Sequence, residues 1–306
     1  MDKKTDDIKF SILIPAYNAS DVISDTLDSV RGQTYKNFEV IIVDDGSKDE
    51  TKKVINEYKK QYPEMDIKYF WQENGGASSA RYRCGKEASG DYIAFLDADD
   101  FWYDKKLERI YYAIEHYNAD VYYHDEIEVW KDGTKNNLPA RDLSDDPLSD
   151  LVINGNAMAT SAAVVKTDIY RQCDPFYDKK RAGEDYECWI RLAAAGARFY
   201  HVCETLGEYR RNENGLTLIN NDWMMGTFEE SIRYFDYLDK NKFSEQKIEY
   251  LKKKKVAYNT YLMGRHYHRK REYREAKHYY IKSIRQGNIT LKCIAGLMCA
   301  IIKKYV

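Results

Sequence analysis

The stretch Tyr92-Ile93-Ala94-Phe95-Leu96-Asp97-Ala98-Asp99-Asp100 decides how the rest of the 306-residue chain is read. An apolar run followed at once by three acids in four positions describes a buried strand that ends by presenting carboxylates at the rim of a sheet. Carboxylates this close repel one another, and the arrangement becomes favourable when a cation or several hydrogen-bond donors sit among them. A hard divalent ion such as Mg2+ or Mn2+, held by one or two carboxylates and shared with phosphate oxygens, meets that demand. Taken alone, Asp97-Ala98-Asp99-Asp100 reads equally as solvated or capping acids ahead of a helix starting near Asp104.

Upstream, the hydrophobic period alternates between strand and helix. Ile8 to Tyr17 reads as a strand stopped at Pro15, and Ser20 then caps a helix with Val22, Ile23, Leu27 and Val30 on one stripe. A second strand, Phe38 to Val43, ends in Asp44-Asp45-Gly46-Ser47 and leads to a helix carrying Val54, Ile55 and Tyr58. Ile67 to Phe70 and Ala77 to Ala88 repeat the pair before Tyr92. This is the spacing of βαβ units, which predicts an α/β fold with a mainly parallel sheet and right-handed crossovers. Ligands of such sheets bind beyond the carboxyl ends of the strands. The rule gathers Pro15-Ala16-Tyr17-Asn18, Asp44-Asp45-Gly46-Ser47 and Asp97-Ala98-Asp99-Asp100 on one rim. A nucleoside diphosphate would use that rim well, with Tyr17 stacked on a base, an Asp of the turn after the second strand accepting from a base N–H and the last turn holding the metal on the pyrophosphate. Ser47 has a simpler use, because Ser47-Lys48-Asp49-Glu50 is a capping box.

Four stretches carry a resemblance. Ser11-Ile12-Leu13-Ile14-Pro15-Ala16-Tyr17-Asn18, Val43-Asp44-Asp45-Gly46-Ser47, Asn74-Gly75-Gly76-Ala77-Ser78-Ser79-Ala80-Arg81 and Leu96-Asp97-Ala98-Asp99-Asp100 resemble the serial motifs of glycosyltransferase family 2, in order and spacing. The likeness covers roughly residues 8 to 215. It implies a GT-A fold, a nucleotide-sugar donor (most often a uridine one), a divalent metal and inversion at the anomeric carbon. By that likeness Pro15, Ala16, Tyr17, Asp45 and Ala98 border the donor, Asp97 meets the ribose or the metal, and Asp99 meets the metal. Arg81 would serve the donor's nucleotide or phosphates; on residue chemistry alone it is also a helix-face charge after a Gly-rich turn.

Downstream, a helix from Lys105 leads to a strand at Val121 to His124, and the polar segment Lys131 to Asp150 reads as loops. Glu184-Asp185 opens a helix whose Trp189 and Leu192 face the core; acids in a first turn are favoured by the helix dipole alone. The resemblance extends to Gly183-Glu184-Asp185-Tyr186-Glu187-Cys188-Trp189 and implies that Asp185 takes the acceptor hydroxyl's proton, with Glu184 in support, chemistry that a sugar hydroxyl needs. Arg210 and Arg211 read as phosphate or acceptor contacts, or as surface charges. Three positions depart from the family pattern: Asn212 stands where His is common, Tyr82 where Asn is, and Asp104 where Pro is. The first puts metal affinity in doubt, and with the tail it motivates a rival reading, a non-catalytic nucleotide-sugar sensor or assembly scaffold. A nucleotidyltransferase is disfavoured because Pro15-Ala16-Tyr17-Asn18 offers no basic Gly-rich loop for a triphosphate.

Composition sets the remaining bounds. At 43% hydrophobic, the chain can bury one large core with an appendage, and we place a GT-A domain at 1–219 and a helical extension at 220–306. The formal charge of −2 gives no field for nucleic acid. Six cysteines without a C-x-x-C pair or zinc-like His spacing read as reduced thiols, and Met1 to Asp7 lacks the apolar core of a signal peptide, which together favour the cytoplasm. Residues 260–289 resemble a single tetratricopeptide repeat through Gly264, Tyr267, Ala276, Tyr280 and Ser283. One repeat cannot stack on neighbours, so it packs on the larger domain or pairs two copies into a homodimer. Lys242 to Lys282 holds thirteen basic residues against four acidic ones. Lys252-Lys253-Lys254-Lys255 reads as a solvated helix face or, beside the apolar run Cys293 to Ile302, as a peripheral contact with an anionic membrane. The expected activity is hexosyl or N-acetylhexosaminyl transfer from a UDP donor to a hydroxyl of a growing glycan, with a lipid-linked glycan as the membrane-side version of the acceptor.

Overall fold

The computed structural model describes residues 8–176, 183–211 and 221–303. The strands in chain order are β1 (Phe10–Ala16), β2 (Phe38–Asp44), β3 (Ile67–Trp71), β4 (Tyr92–Phe95), β5 (Phe101–Trp102), β6 (Val121–Val129), β7 (Lys135–Leu138), β8 (Val164–Lys166) and β9 (Phe199–Arg210). The helices are α1 (Ile23–Arg31), α2 (Thr51–Gln61), α3 (Ala77–Glu87), α4 (Lys106–His116), α5 (Pro147–Asn154), α6 (Thr167–Cys173), α7 (Glu184–Ala194), α8 (Asn221–Arg233), α9 (Glu245–Arg269), α10 (Tyr273–Arg285) and α11 (Leu291–Ile301).

One sheet runs in the order β3-β2-β1-β4-β8-β6-β9-β5, with β7 added to β6. The expected parallel arrangement occupies β3, β2, β1 and β4. Beyond β4 the sheet is mixed: β8 is antiparallel to β4 and β6, while β9 is parallel to β6. The polar segment after β6 is not loop throughout, since it contains β7 and the start of α5, whose Asp146 side chain caps the helix.

The central strands are apolar on both faces because both are covered. Phe10, Ile12, Ile14, Val40 and Ile42 pack with Ile23, Leu27 and Val30 of α1, Ile55 of α2 and Leu107 and Ile110 of α4. On the other face the Phe95 ring meets Tyr170, Phe176 and Trp189 edge-on or tilted. Two capping expectations fail. Ser20 does not cap α1, and Ser47 does not cap α2. Ser47 Oγ accepts from the Asn18 N–H at 2.9 Å instead, which ties the turn after β1 to the turn after β2. The rim's loops hold each other, so the helices start later.

At the opposite end of these strands Glu39 is fully buried. Its carboxylate accepts from Ser11 Oγ, from Ser89 N and Oγ, and from the ammonium groups of Lys9 and Lys68. Burial pushes its pKa up, but Lys68, Ser11 and Ser89 outweigh this and bring it down to about 2.

The described chain divides into two compact units, residues up to Leu151 with Gly155–Trp223, and Val152–Asn154 with the residues from Met224 on. The expected boundary at 219/220 lies outside the described residues. In the second unit α9, α10 and α11 enclose Tyr261, Ala276, Tyr280, Cys293 and Ala300. The Tyr280 ring fills the space that glycines leave on both neighbours: a Cβ at Gly264 would lie 2.7 Å from it, and one at Gly296 2.6 Å. No described helix is long and apolar enough to cross a membrane.

Glu39→Gln should destabilise the fold by about 2–3 kcal/mol at neutral pH, since two lysines lose their buried partner. A carboxyl lowered on folding stabilises above its unfolded value, so the wild type should lose this contribution as pH falls from 4.5 toward 2 and the variant should lack that loss. Urea unfolding at several pH values measures both.

Candidate active site

The carboxyl ends of β1, β2 and β4 form the expected rim. Asp97 follows β4, and its N–H donates to Ser161 Oγ at 3.0 Å. The buried Asp100 takes Ser161 Oγ–H on one oxygen and the Arg210 N–H on the other, at 2.5 and 2.9 Å. Thr26 Oγ–H bridges the carbonyls of Ala98 and Asp100. The acidic turn is therefore pinned from α1, β9 and the segment before β8.

Asp99 is the member left facing outward. It lines a cleft of about 690 Å³ with Tyr17, Asn18, Asp21, Val22, Trp130, Arg210 and Arg211. Tyr17 is 49% exposed there, a free ring face for a flat ligand. Arg210 lies over the Phe101 ring and reaches Asp25, and Arg211 pairs with Glu128 at 2.6 Å. Burial and the charge of Asp97 push the Asp99 carboxyl up to about 6. Among the described residues no side chain donates to it. An under-compensated carboxylate beside Asp97 is the oxygen-rich setting that fits a divalent cation.

Arg81 is placed differently from expectation. Its guanidinium is buried at the start of α3 and donates to Asp97 Oδ1 and to Glu184 Oε1, both at 2.5 Å. It braces acids instead of reaching into the cleft. Its Nε is buried without a partner among the described residues. Asp45 is also engaged: one oxygen accepts from Gln72 Nε2 and Gly75 N, the other from Gly76 N at 2.7 Å, so it shapes the turn that launches α3. Pro15 and Ala16 end β1, and the Ala16 carbonyl accepts from the Asp45 N–H at 2.8 Å.

Glu184 and Asp185 open α7, as expected. Asp185 Oδ2 faces Asn156 Nδ2 at 3.2 Å and Thr160 Oγ1 at 3.4 Å, and the Tyr186 backbone N–H also favours the charged carboxylate. Burial, then the charge of Glu184, pushes the Asp185 carboxyl up to about 6. The charge of Asp97 raises both Asp99 and Asp185, so the three acids share one electrostatic site. Asn212 lies outside the described residues.

Residues 11–151 match the family model "Glycosyl transferase family 2". The chain is 32% identical over 224 residues to the putative teichuronic acid biosynthesis glycosyltransferase TuaG of Bacillus subtilis, a match covering 70% of this chain and 82% of that protein. The chain belongs to glycosyltransferase family 2. The amylovoran biosynthesis glycosyltransferase AmsB of Erwinia amylovora is a second relative, 32% identical over 66% of this chain and 70% of its own length. Among solved structures, S. aureus TarS 1-349 in complex with UDP-GlcNAc superimposes with a TM-score of 0.63 at 17% identity, covering 97% of this chain and 88% of that one. A mannosyltransferase from Pyrobaculum calidifontis in complex with GDP-Man and Mn2+ gives a TM-score of 0.58 at 15% identity, over 96% of this chain and 79% of that one. These structural likenesses establish the GT-A fold.

The sequence did not single out Asn156, Thr160 or Ser161. They sit in a short, Ala-rich connection before β8, and only the antiparallel return of β8 beside β4 brings them to the family's acidic rim.

A carboxyl raised on folding costs stability that grows as pH climbs through the interval between its unfolded and folded values, here about 3.8 to 6. Asp99→Asn and Asp185→Asn should therefore each raise the unfolding free energy at pH 7, by roughly 1–3 kcal/mol. The gain should vanish near pH 4, which thermal melts across pH would check.

Proposed function

We propose that this glycosyltransferase moves a hexose or N-acetylhexosamine from a uridine diphosphate donor to a hydroxyl of a growing, lipid-linked glycan in surface polysaccharide synthesis, with inversion at the anomeric carbon. The observation that carries the reading is the placement of Asp99, under-compensated beside Asp97, in a cleft with an open Tyr17 ring and two arginines. Support comes from TuaG and AmsB, whose names place them in polysaccharide synthesis, and from the structural neighbours, which bind UDP-GlcNAc or GDP-Man.

Tyr17 stacks on the base, and Asp45, with Pro15 and Ala16, frames the base end. Asp99 with Asp97 would hold Mg2+ or Mn2+, whose charge, when bound, offsets the negative charge growing on the departing diphosphate. Arg210 and Arg211 lend positive charge to the phosphate side of the cleft. Asp185, ionised above about pH 6 and oriented by Asn156 and Thr160, takes the acceptor's proton as the hydroxyl oxygen attacks the anomeric carbon. That oxygen forms its bond on the face opposite the breaking bond to the diphosphate, which inverts the centre. Arg81 keeps Glu184 and Asp97 compensated so that Asp185 carries the reactive charge.

The experiment is a thermal-shift screen of nucleotide sugars with and without Mn2+, followed by turnover assays with the donor that binds. Asp185→Asn should lower kcat by about 100- to 10,000-fold with donor affinity unchanged. Asp99→Asn should lose the Mn2+-dependent part of donor binding. Turnover surviving Asp185→Asn, or full Mn2+-dependent binding in Asp99→Asn, would contradict the assignment.

We place the protein on the cytoplasmic membrane surface through α11, where Leu291, Ile294, Met298 and Ile301 are exposed at helical spacing beside Lys292 and Lys303. Met298→Asp should weaken co-sedimentation with vesicles of anionic lipid at least tenfold, and sedimentation equal to wild type would remove the membrane contact. Homodimer formation through the helical extension is part of the same reading, and analytical ultracentrifugation reads it directly.

A further inference from the structure

Outside the donor cleft, Asp142, His201 and Cys203 each bring a metal-ligating atom within 4.8 Å of the other two. The placement originates in a register shift. β6 and β9 pair regularly up to His124 with Val202, then Asp125 pairs with Thr205, so Cys203 and Glu204 are left over on β9. Such a bulge re-aims side chains. Glu204 turns to Arg109 at 2.9 Å, while Cys203 Sγ comes to 3.6 Å from His201 Nδ1. Asp142, from the segment after β7, places Oδ1 2.6 Å from the same nitrogen.

The imidazole is fixed from two sides. Its Nε2 lies 2.9 Å from Asp125 Oδ1, an oxygen that also accepts from the Ala140 N–H at 2.8 Å. Its plane stacks on the Tyr123 ring, 5.0 Å between centroids and 3° apart. A carboxylate stands on each ring nitrogen, and the Nδ1 contact with Asp142 is a hydrogen bond that a cation would replace. Asp125 on Nε2 then supplies the orienting arrangement of metal-bound histidines, with Nδ1 turned toward Asp142 and Cys203.

The spacing suits a cation. With Zn–N near 2.0 Å and Zn–S near 2.3 Å, nitrogen and sulfur on a tetrahedral ion are about 3.5 Å apart. The His201–Cys203 distance is already 3.6 Å. Asp142, whose side chain is 81% exposed, is free to withdraw the roughly 0.7 Å by which its 2.6 Å contact falls short of the about 3.3 Å between nitrogen and oxygen on a tetrahedral ion. The alternative use of the same groups, a cysteine nucleophile with a histidine base, runs against the charge around it. Burial and the two aspartates push the Cys203 thiol up, away from thiolate.

We propose that Asp142, His201 and Cys203 bind a borderline divalent cation, Zn2+ foremost, with Asp125 positioning His201 and water completing the tetrahedron. On binding, the Cys203 thiol releases its proton to solvent and its sulfur bonds the metal. The ion fastens the segment between β7 and α5 to the bulge of β9. The assignment does not depend on the donor cleft.

The test uses the full chain, stripped with a chelator and titrated with Co2+ alone in excess Mg2+, which saturates carboxylate-only sites. One equivalent should bring up a thiolate-to-cobalt charge-transfer band and tetrahedral visible bands, both displaced by Zn2+. Cys203→Ser should abolish the charge-transfer band while leaving the circular dichroism spectrum unchanged. Asp142→Asn and Asp125→Asn should each weaken Co2+ binding about 10- to 100-fold. Absence of the band in the wild type, its survival in Cys203→Ser, or unchanged affinity in Asp142→Asn would overturn the proposal.

Discussion

Several carboxylates converge where β4 ends, and one buried guanidinium makes their coexistence feasible. Arg81 spans Asp97 and Glu184, groups that stand 87 positions apart in the chain (184 − 97). Taken out of water, a lone arginine would be costly; burial opposes its charge, while Asp97 and then Glu184 favour it strongly enough that the balance raises its pKa. The exchange is mutual. Asp97 and Glu184 each hold a direct contact with Arg81, whereas Asp99 and Asp185, which it touches only through its field, are shifted toward neutrality. Contact with a single cation therefore sets Asp97 and Glu184 apart from Asp99 and Asp185.

Ser161 is the second anchor. Its hydroxyl accepts from the Asp97 N–H and donates to Asp100, while its carbonyl accepts from Trp102 Nε1 and Lys106 Nζ. Behind it, burial drives Lys106 toward its neutral form and raises Asp100 and Glu126, the latter to about 7. Burial disfavours the charged form of each of these groups. The rim thus rests on a buried polar layer, and its geometry is set by hydrogen bonds to one serine.

Much of this could be read from the residues. The parallel half of the sheet, the rim and the acids at its edge follow from strand-helix alternation, because each apolar run is short and each turn is punctuated by Pro, Gly or Asp. The opening of α7 by Glu184 and Asp185 was equally visible. What escaped reading depends on long-range return of the chain. The antiparallel β8, the true partner of Arg81 and the hydrogen bonds to Asp185 join positions dozens of residues apart, and no local period encodes them. Ser47 misled because a hydroxyl before a helix looks like a cap until a neighbouring loop offers a donor, here the Asn18 N–H, whereas Ser20 simply stands ahead of Val22, the residue that precedes α1.

The nesting of Tyr280 between Gly264 and Gly296 has an evolutionary corollary. Each glycine viewed alone is an ordinary weak spot in a helix that alanine ought to improve. Because one phenol ring occupies both vacancies, the three positions form a single lock, and divergence at any of them becomes tolerable only after the ring has shrunk. Helical tails of this kind should therefore drift as a correlated trio, with bulk appearing at 264 or 296 in lineages where 280 has surrendered its aromatic side chain.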